Sequence, residues 1–231
     1  MNNFDENSML EYFNRQVQLW GKDKQLSLIN KKVLIIGCGG LGCSNAIALG
    51  SCGIGEFTFV DFDRVSIHNI HRQIGFKIED EGKYKCEVLQ DLIQNRSPYV
   101  KVTSYKEDFQ TFVKRDINNF DLIIDGSDNL PTRAFINEYS KSKNIPWIYG
   151  SVEEFYGQVC FFHKASYQDL FKIKTRKPNG IACPIVMHIA SLQSNIALRY
   201  LACLNIKKDY LYYLCFDDDG VLDTKKFKLS Y

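Results

Sequence analysis

The chain has 231 residues, 45% of them apolar and 24% charged, which is enough to bury a sizeable core. Its 29 Lys and Arg against 27 Asp and Glu leave a formal charge of +2, so no global field favours nucleic acid or an anionic membrane. Residues 1–11 lack a basic region followed by an apolar run, and no stretch of about 18 apolar residues occurs; the expectation is a cytoplasmic chain without secretory leader or membrane span.

Residues 1–30 read as an N-terminal helical segment. Residues 33–36 then read as a buried strand, 41–52 as a helix, 57–60 as a second strand and 83–95 as a helix ending before Ser97-Pro98. Residues 100–105 and 122–124 are strand-like, 130–143 helical and 147–152 strand-like. Such β–α alternation predicts an α/β fold, a Rossmann-like and mostly parallel sheet flanked by helices. Beyond residue 152 the pattern changes. Residues 157–163 are strand-like, and 164–179 form a polar, basic connection without a period. Residues 181–204 are a long apolar helix containing Gln193, Asn195 and Arg199. Residues 210–216 and 221–229, around a turn at 217–220, read as an antiparallel hairpin. A single unit over 1–231 is expected, with a nucleotide-binding core at 31–152 and a substrate-side portion at 153–231.

Eight cysteines are present, at 38, 43, 52, 86, 160, 183, 203 and 215. Most lie within apolar stretches and no two are spaced Cys-x-x-Cys, so free buried thiols are expected and a structural zinc ribbon is not.

The first helix opens on Gly37-Cys38-Gly39-Gly40-Leu41-Gly42, which fits G-x-G-x-x-G directly after a strand. Glycines there let a phosphate approach the backbone, and the exposed amides of a helix N-terminus favour its charge. Asp61 stands 19 residues past Gly42, at the end of the next strand, where a carboxylate accepts hydrogen bonds from ribose hydroxyls. This much suits any mononucleotide or dinucleotide, including the NAD(P) of an oxidoreductase. Arg72, Lys85 and Asp128 tip the reading. All three fall at or beyond the carboxyl ends of parallel strands, and two cations with one acid suit a triphosphate with a metal ion better than a pyrophosphate. Taken singly, Arg72 and Lys85 read equally well as solvated charges and Asp128 as a helix cap.

In this order the residues resemble the ThiF/MoeB/HesA adenylyltransferases, relatives of the ubiquitin-activating enzymes. The likeness runs through Arg15-Gln16 before Leu19-Trp20-Gly21, the segment 33–42, Asp61-Phe62-Asp63, Asn69, Arg72-Gln73 and Lys85. It continues through Asp125-Gly126-Ser127-Asp128-Asn129 and Arg133. The resemblance implies that Gly39 and neighbouring amides, Gly37, Gly40 and Gly42 among them, hold the α-phosphate of ATP and that Asp61 holds the ribose. Asn69, Arg72 and Lys85 would contact the phosphates, with Asp63 and Gln73 near the nucleotide. Asp128 would position Mg2+. Arg15 would reach the triphosphate of a partner subunit, which implies a homodimer. The reaction implied is activation of a carboxylate as its acyl-adenylate. The substrate would be the tail of a ubiquitin-like sulfur carrier or a small-molecule acid in cofactor biosynthesis, as in the guanylylpyridinol pathway.

Two departures matter. Many relatives hold zinc with paired Cys-x-x-Cys motifs, and neither 163–168 nor 227–231 contains a cysteine, so no zinc is expected. Some relatives carry a reactive cysteine in the stretch matching 172–179, which has none here; Cys183, just before Pro184, reads as a packed thiol at a helix start. The basic residues Lys164, Lys172, Lys174, Arg176 and Lys177 suit an acidic partner or a solvated loop equally. The competing readings are an NAD(P)-dependent oxidoreductase and an inactive partner of an active relative.

Overall fold

The computed structural model describes residues 5–117, 119–171 and 179–231. Three short helices open it, α1 (Glu6–Tyr12), α2 (Asn14–Trp20) and α3 (Lys22–Ser27). The alternating region follows: β1 (Lys32–Ile36), α4 (Gly40–Gly50), β2 (Glu56–Val60), α5 (Ile67–Ile70), α6 (Lys85–Arg96) and β3 (Lys101–Tyr105). After these come α7 (Phe109–Phe112), β4 (Leu122–Asp125), α8 (Leu130–Lys143) and β5 (Trp147–Glu153). The remainder is β6 (Tyr156–Phe162), α9 (Tyr167–Leu170), α10 (Cys183–Leu201), β7 (Tyr210–Phe216) and β8 (Leu222–Lys228).

The described residues build one eight-stranded sheet in the order β3-β2-β1-β4-β5-β6-β7-β8. Strands β3 to β5 of that order are parallel, and β6, β7 and β8 extend it antiparallel. The fold is therefore α/β, mostly parallel where it alternates and antiparallel at its C-terminal end. Period-two side-chain alternation divides the core between two helical layers. Val33, Ile35, Phe57, Phe59, Leu122 and Ile124 face α4, α6 and α10. Leu34, Ile36, Ile123, Trp147 and Phe162 face α7, α8 and α9, and Trp147 stacks on Phe162 with centroids 4.8 Å apart. With both faces covered, these strands read in sequence as unbroken apolar runs.

The strand order reverses between β1 and β4, and open α/β sheets bind ligands outside the carboxyl ends of such a pair. The connection 164–179, expected to carry no element, contains the single turn α9, whose Tyr167 is buried in the second layer. Its basic residues Lys172, Lys174, Arg176 and Lys177 lie outside the described residues. Among the described residues no helix is long and apolar enough to cross a membrane.

Candidate functional site at the β1–β4 crevice

The glycine turn is built by backbone crowding. Gly37 takes φ +85°, open to glycine and strained for other residues, and a Cβ there would come within 2.7 Å of the Gly126 carbonyl oxygen. A Cβ on Gly42 or on Gly126 would strike the Gly37 carbonyl. The turn after β1 and the turn after β4 thus rest on each other without side chains between them. Helix α4 starts at this contact, and its first recorded backbone bond runs from Cys43 N to Gly39 O at 2.9 Å. The amides before Cys43 belong to the first turn, which has no acceptors of its own within the helix.

Helix α10 lies beside α4 and runs parallel to it. Val186 packs where a Gly40 side chain would stand, and further along Asn45 Nδ2 donates to Gln193 Oε1 at 2.8 Å. Two helix N-termini consequently meet at the same sheet edge, where their partial positive charges reinforce. Cys183 begins α10, three residues before Val186.

Asp61, at the end of β2, is buried and braces the turn. Its Oδ2 accepts from Cys38 N at 2.5 Å and its Oδ1 from Asp63 N at 2.6 Å. Burial pushes its carboxyl above the usual range, opposed by those two hydrogen bonds and by the Lys85 charge. Burial also pushes the Cys38 thiol far up, so it stays neutral and packs. Lys85 opens α6 with its ammonium buried, 2.8 Å from the half-exposed Asp63 carboxylate. A buried amine with one acidic partner at the mouth of a phosphate-type turn is an electrostatic feature that exposed lysines do not supply.

The segment 66–73 closes the other side. The Arg72 carbonyl and the Gln73 amide approach Gly40 and Gly39 respectively. The Arg72 guanidinium folds onto its own segment, donating from Nη2 to Asn69 Oδ1 at 3.0 Å and lying 2.9 Å from His71 Nε2. Beyond β4, Asp128 is exposed, its carboxylate accepting a long 3.4 Å bond from Asn129 Nδ2. The helix cap is Asn129, which accepts from Thr132 N at 2.9 Å, so Asp128 does not fill the capping alternative.

Gly37, Gly39, Gly40, Gly42, Asp61, Asp63, Asn69, Arg72, Gln73, Lys85 and Asp128 therefore share one edge of the sheet. Arg15 does not join them. It sits exposed on α2, whose neighbouring Gln16 donates to the Cys52 carbonyl beyond the far end of α4. Eleven helical residues, about 16 Å of helix, separate that end from the turn.

Sequence reasoning gave no role to the buried groups that hold the edge together. Asp125 is fully buried against Arg133, with Nε 3.0 Å from Oδ2, and Arg133 Nη2 donates to the carbonyls of Ser127 and Gly150 at 2.7 and 3.0 Å. Burial opposes charge on Arg133, but the Asp125 carboxylate keeps its guanidinium above even the usual arginine range. Gln193 donates to the Asp125 carbonyl at 3.0 Å and accepts from Asn45, tying α4, β4 and α10 together. The available signal was a glutamine on the buried, mostly apolar face of α10.

The profile of the ThiF family matches residues 13–224. The chain is 30% identical over 216 residues to the molybdopterin-synthase adenylyltransferase of Escherichia coli strain K12, covering 87% of this chain and 86% of that protein. It is 35% identical over 192 residues to the adenylyltransferase and sulfurtransferase MOCS3 of Dictyostelium discoideum, covering 78% of this chain and 45% of that one. The sulfur carrier protein adenylyltransferase of Thermus thermophilus is 34% identical over 157 residues, 67% of this chain and 58% of that protein. The chain thus spans about half the length of several curated relatives. In fold it is similar to PaaA, with a TM-score of 0.82 at 21% identity over 99% of this chain and 77% of PaaA. It is also similar to E. coli MccB crystallised with ATP, with a TM-score of 0.81 at 19% identity over 95% and 72%.

Proposed function

The chain belongs to the ThiF family, and on that premise we propose that it is an ATP-dependent adenylyltransferase that activates a carboxylate as an acyl-adenylate. The observation that carries the reading is the buried Lys85 ammonium beside a glycine turn at the sheet's switch point, with Asp61 bracing that turn. A dinucleotide pyrophosphate spreads less charge over this edge and leaves Lys85, Arg72 and Asp128 without work.

The substrate carboxylate is ionised at neutral pH, its ordinary pKa being about 4, so no general base is needed. Its oxygen forms a bond to the α-phosphorus while the bond from that phosphorus to the β-phosphate bridging oxygen breaks. The electron pair leaves with pyrophosphate. The chain's part is to position and to stabilise charge. The first-turn amides of α4 hold the α-phosphate. Asp61 keeps lone pairs for a ribose hydroxyl in addition to its two backbone donors. Lys85, Arg72 and Asn69 meet the developing charge on the phosphates, Arg72 by turning its guanidinium away from His71. Asp128 is exposed and carries no cation among the described residues, which suits a hard oxygen ligand for magnesium. Asp128 would hold magnesium, which would supply charge neutralisation on the triphosphate.

The partner subunit supplies Arg15 in this reading, through a homodimer. The relative named as a sulfur carrier protein adenylyltransferase supports a carrier protein as the bearer of the carboxylate. A small-molecule acid is the other candidate. The test is a screen of carrier tails, peptides and small acids for carboxylate-dependent exchange of labelled pyrophosphate into ATP. Arg72→Ala and Asp128→Ala are expected to lose that exchange by about 10²–10³-fold while remaining folded. Wild-type exchange in both variants, or NAD binding without MgATP binding, rejects the reading.

A further inference from the structure

The sheet ends in β8, whose seven residues are all exposed, whereas β1, β2 and β4 are buried almost throughout. Edge strands are guarded against stray pairing by shortness, proline, a bulge, a covering element or charge. Strand β8 pairs with β7 over seven consecutive residues, from Leu222 with Phe216 to Lys228 with Tyr210, without a bulge or a proline. The opposite edge, β3, has five residues and packs against α6. Charge alone guards β8, as Lys225, Lys226 and Lys228 against Asp223. The other devices refuse every partner, but charge refuses only some. Hydrogen bonds show which backbone groups are free. Val221 O accepts from Asp217 N at 3.1 Å and Leu229 N donates to Asp209 O at 2.9 Å, so both residues turn their backbone toward β7. Alternation then turns the N–H and C=O groups of Leu222, Thr224, Lys226 and Lys228 outward. These four side chains share one face of the strand, and Asp223, Lys225 and Phe227 share the other. On that second face Lys225 lies 3.6 Å from Asp223, and Phe227 is 49% exposed.

We propose that this edge takes up an extended acidic segment of another protein as a further strand. Acidic side chains stand opposite Lys226 and Lys228, with an apolar one between them beside Phe227. Main-chain bonds to the outward groups give such an addition its affinity, and the cross-strand pairs give it specificity. Asp217, Asp218 and Asp219 at the hairpin turn give the other end of the edge the opposite sign, so the acids belong at the Lys226–Lys228 end. A second copy of β8 fits worse. Outward residues of an antiparallel ladder meet outward residues, so within the strand Lys226 and Lys228 would meet leucine, threonine or lysine and never an acid. Nucleic acid brings negative charge without the peptide groups that the edge matches. Strand β8 stands four strands from β4, so this surface is separate from the nucleotide crevice.

The probe is a blocked, fluorophore-labelled heptapeptide alternating glutamate and valine, titrated against the full chain by anisotropy. Saturable binding is expected, about 5-fold or more weaker at about 500 mM than at about 50 mM salt. The same peptide with lysine for glutamate is expected not to bind. Lys226→Glu with Lys228→Glu is expected to reverse that preference. Thr224→Pro removes one outward N–H and leaves the β7 ladder intact, and is expected to weaken binding about 10-fold. Should Thr224→Pro melt below wild type, N-methylation of alternate peptide amides tests the same bonds on the unaltered chain. The proposal is overturned by absence of saturable binding, by undiminished binding to the charge-reversed chain, or by an N-methylated peptide that binds as well as its parent. Equal affinity for single-stranded oligothymidylate overturns it in favour of a bare anion surface. Self-association that Thr224→Pro abolishes, seen by sedimentation, overturns it in favour of a second copy.

Discussion

Asp61 couples the glycine turn to pH. Burial raises its carboxyl pKa in the folded chain above the ordinary value of about 3.9. Between the two values the folded state holds more protons than the unfolded state, so stability falls as pH rises through the folded pKa. The contribution is present in full below the unfolded pKa and is lost above the folded one. Asp61→Asn does not titrate, so the melting temperature of wild type minus that of the variant isolates the effect. That difference is expected to decline as pH rises above the ordinary carboxylate value of about 3.9, and a flat profile rejects the burial argument. Lys85 gives a second test on the same scale. Asp63→Asn removes the ion-pair partner of an ammonium whose side chain is 5% exposed, leaving a buried charge with only the longer-range field of Asp61 against it. A bound triphosphate supplies the missing charge. The melting temperature of Asp63→Asn is therefore expected to fall well below wild type without ligand and to approach it with saturating MgATP. An equal deficit in both conditions separates Lys85 from the phosphates.

At the scale of elements, α4 is held from inside as well as at its mouth. Gln193 bonds the Asp125 carbonyl and Asn45, and Asn45 accepts from Ser194 Oγ at 2.8 Å. Gly150 faces the Gln193 amide so closely that a Cβ would strike it. Gln193→Met leaves a buried carbonyl and part of a buried amide unpaired, at about 1–3 kcal/mol for each group. At about 2–4 °C per kcal/mol for a chain of this size, calorimetry is expected to show a fall of several degrees or more. Nucleotide affinity is expected to weaken alongside, because the network links α4 to the end of β4. The partners in it are 68 and 148 residues apart in sequence, and no local pattern announces such pairings. What was legible was local. Helix α8 spans 130–143 as expected because Asn129 caps its start, Pro131 suits its first turn and Asn144 ends it at φ +54°. The parallel strands showed as apolar runs because both their faces are covered. The single turns α5, α7 and α9 are too short to display a period, and the inward role of Arg133 was hidden behind a motif match that named the residue without its partner.

At the scale of the whole molecule the unplaced residue is Arg15. It projects from α2, which also leaves Leu19 73% exposed, and α2 is anchored at the end of α4 remote from the turn. Within one chain the guanidinium and the glycine turn are separated by the length of that helix, so Arg15 serves a nucleotide only if a second copy brings it across. Complementation decides this. Arg15→Ala and Asp128→Ala are each expected to lack pyrophosphate exchange as separate dimers. In a heterodimer the Arg15→Ala chain keeps its Asp128 and receives Arg15 from its partner, restoring one site, while the other site lacks both groups. Random reassortment of equal amounts makes about half of the dimers mixed, so about a quarter of wild-type exchange is expected to return. No recovery, once sedimentation shows that the subunits have exchanged, rules out action across the interface. Full exchange by a wild-type monomer rules it out too, and would require α2 to leave its seat on Cys52.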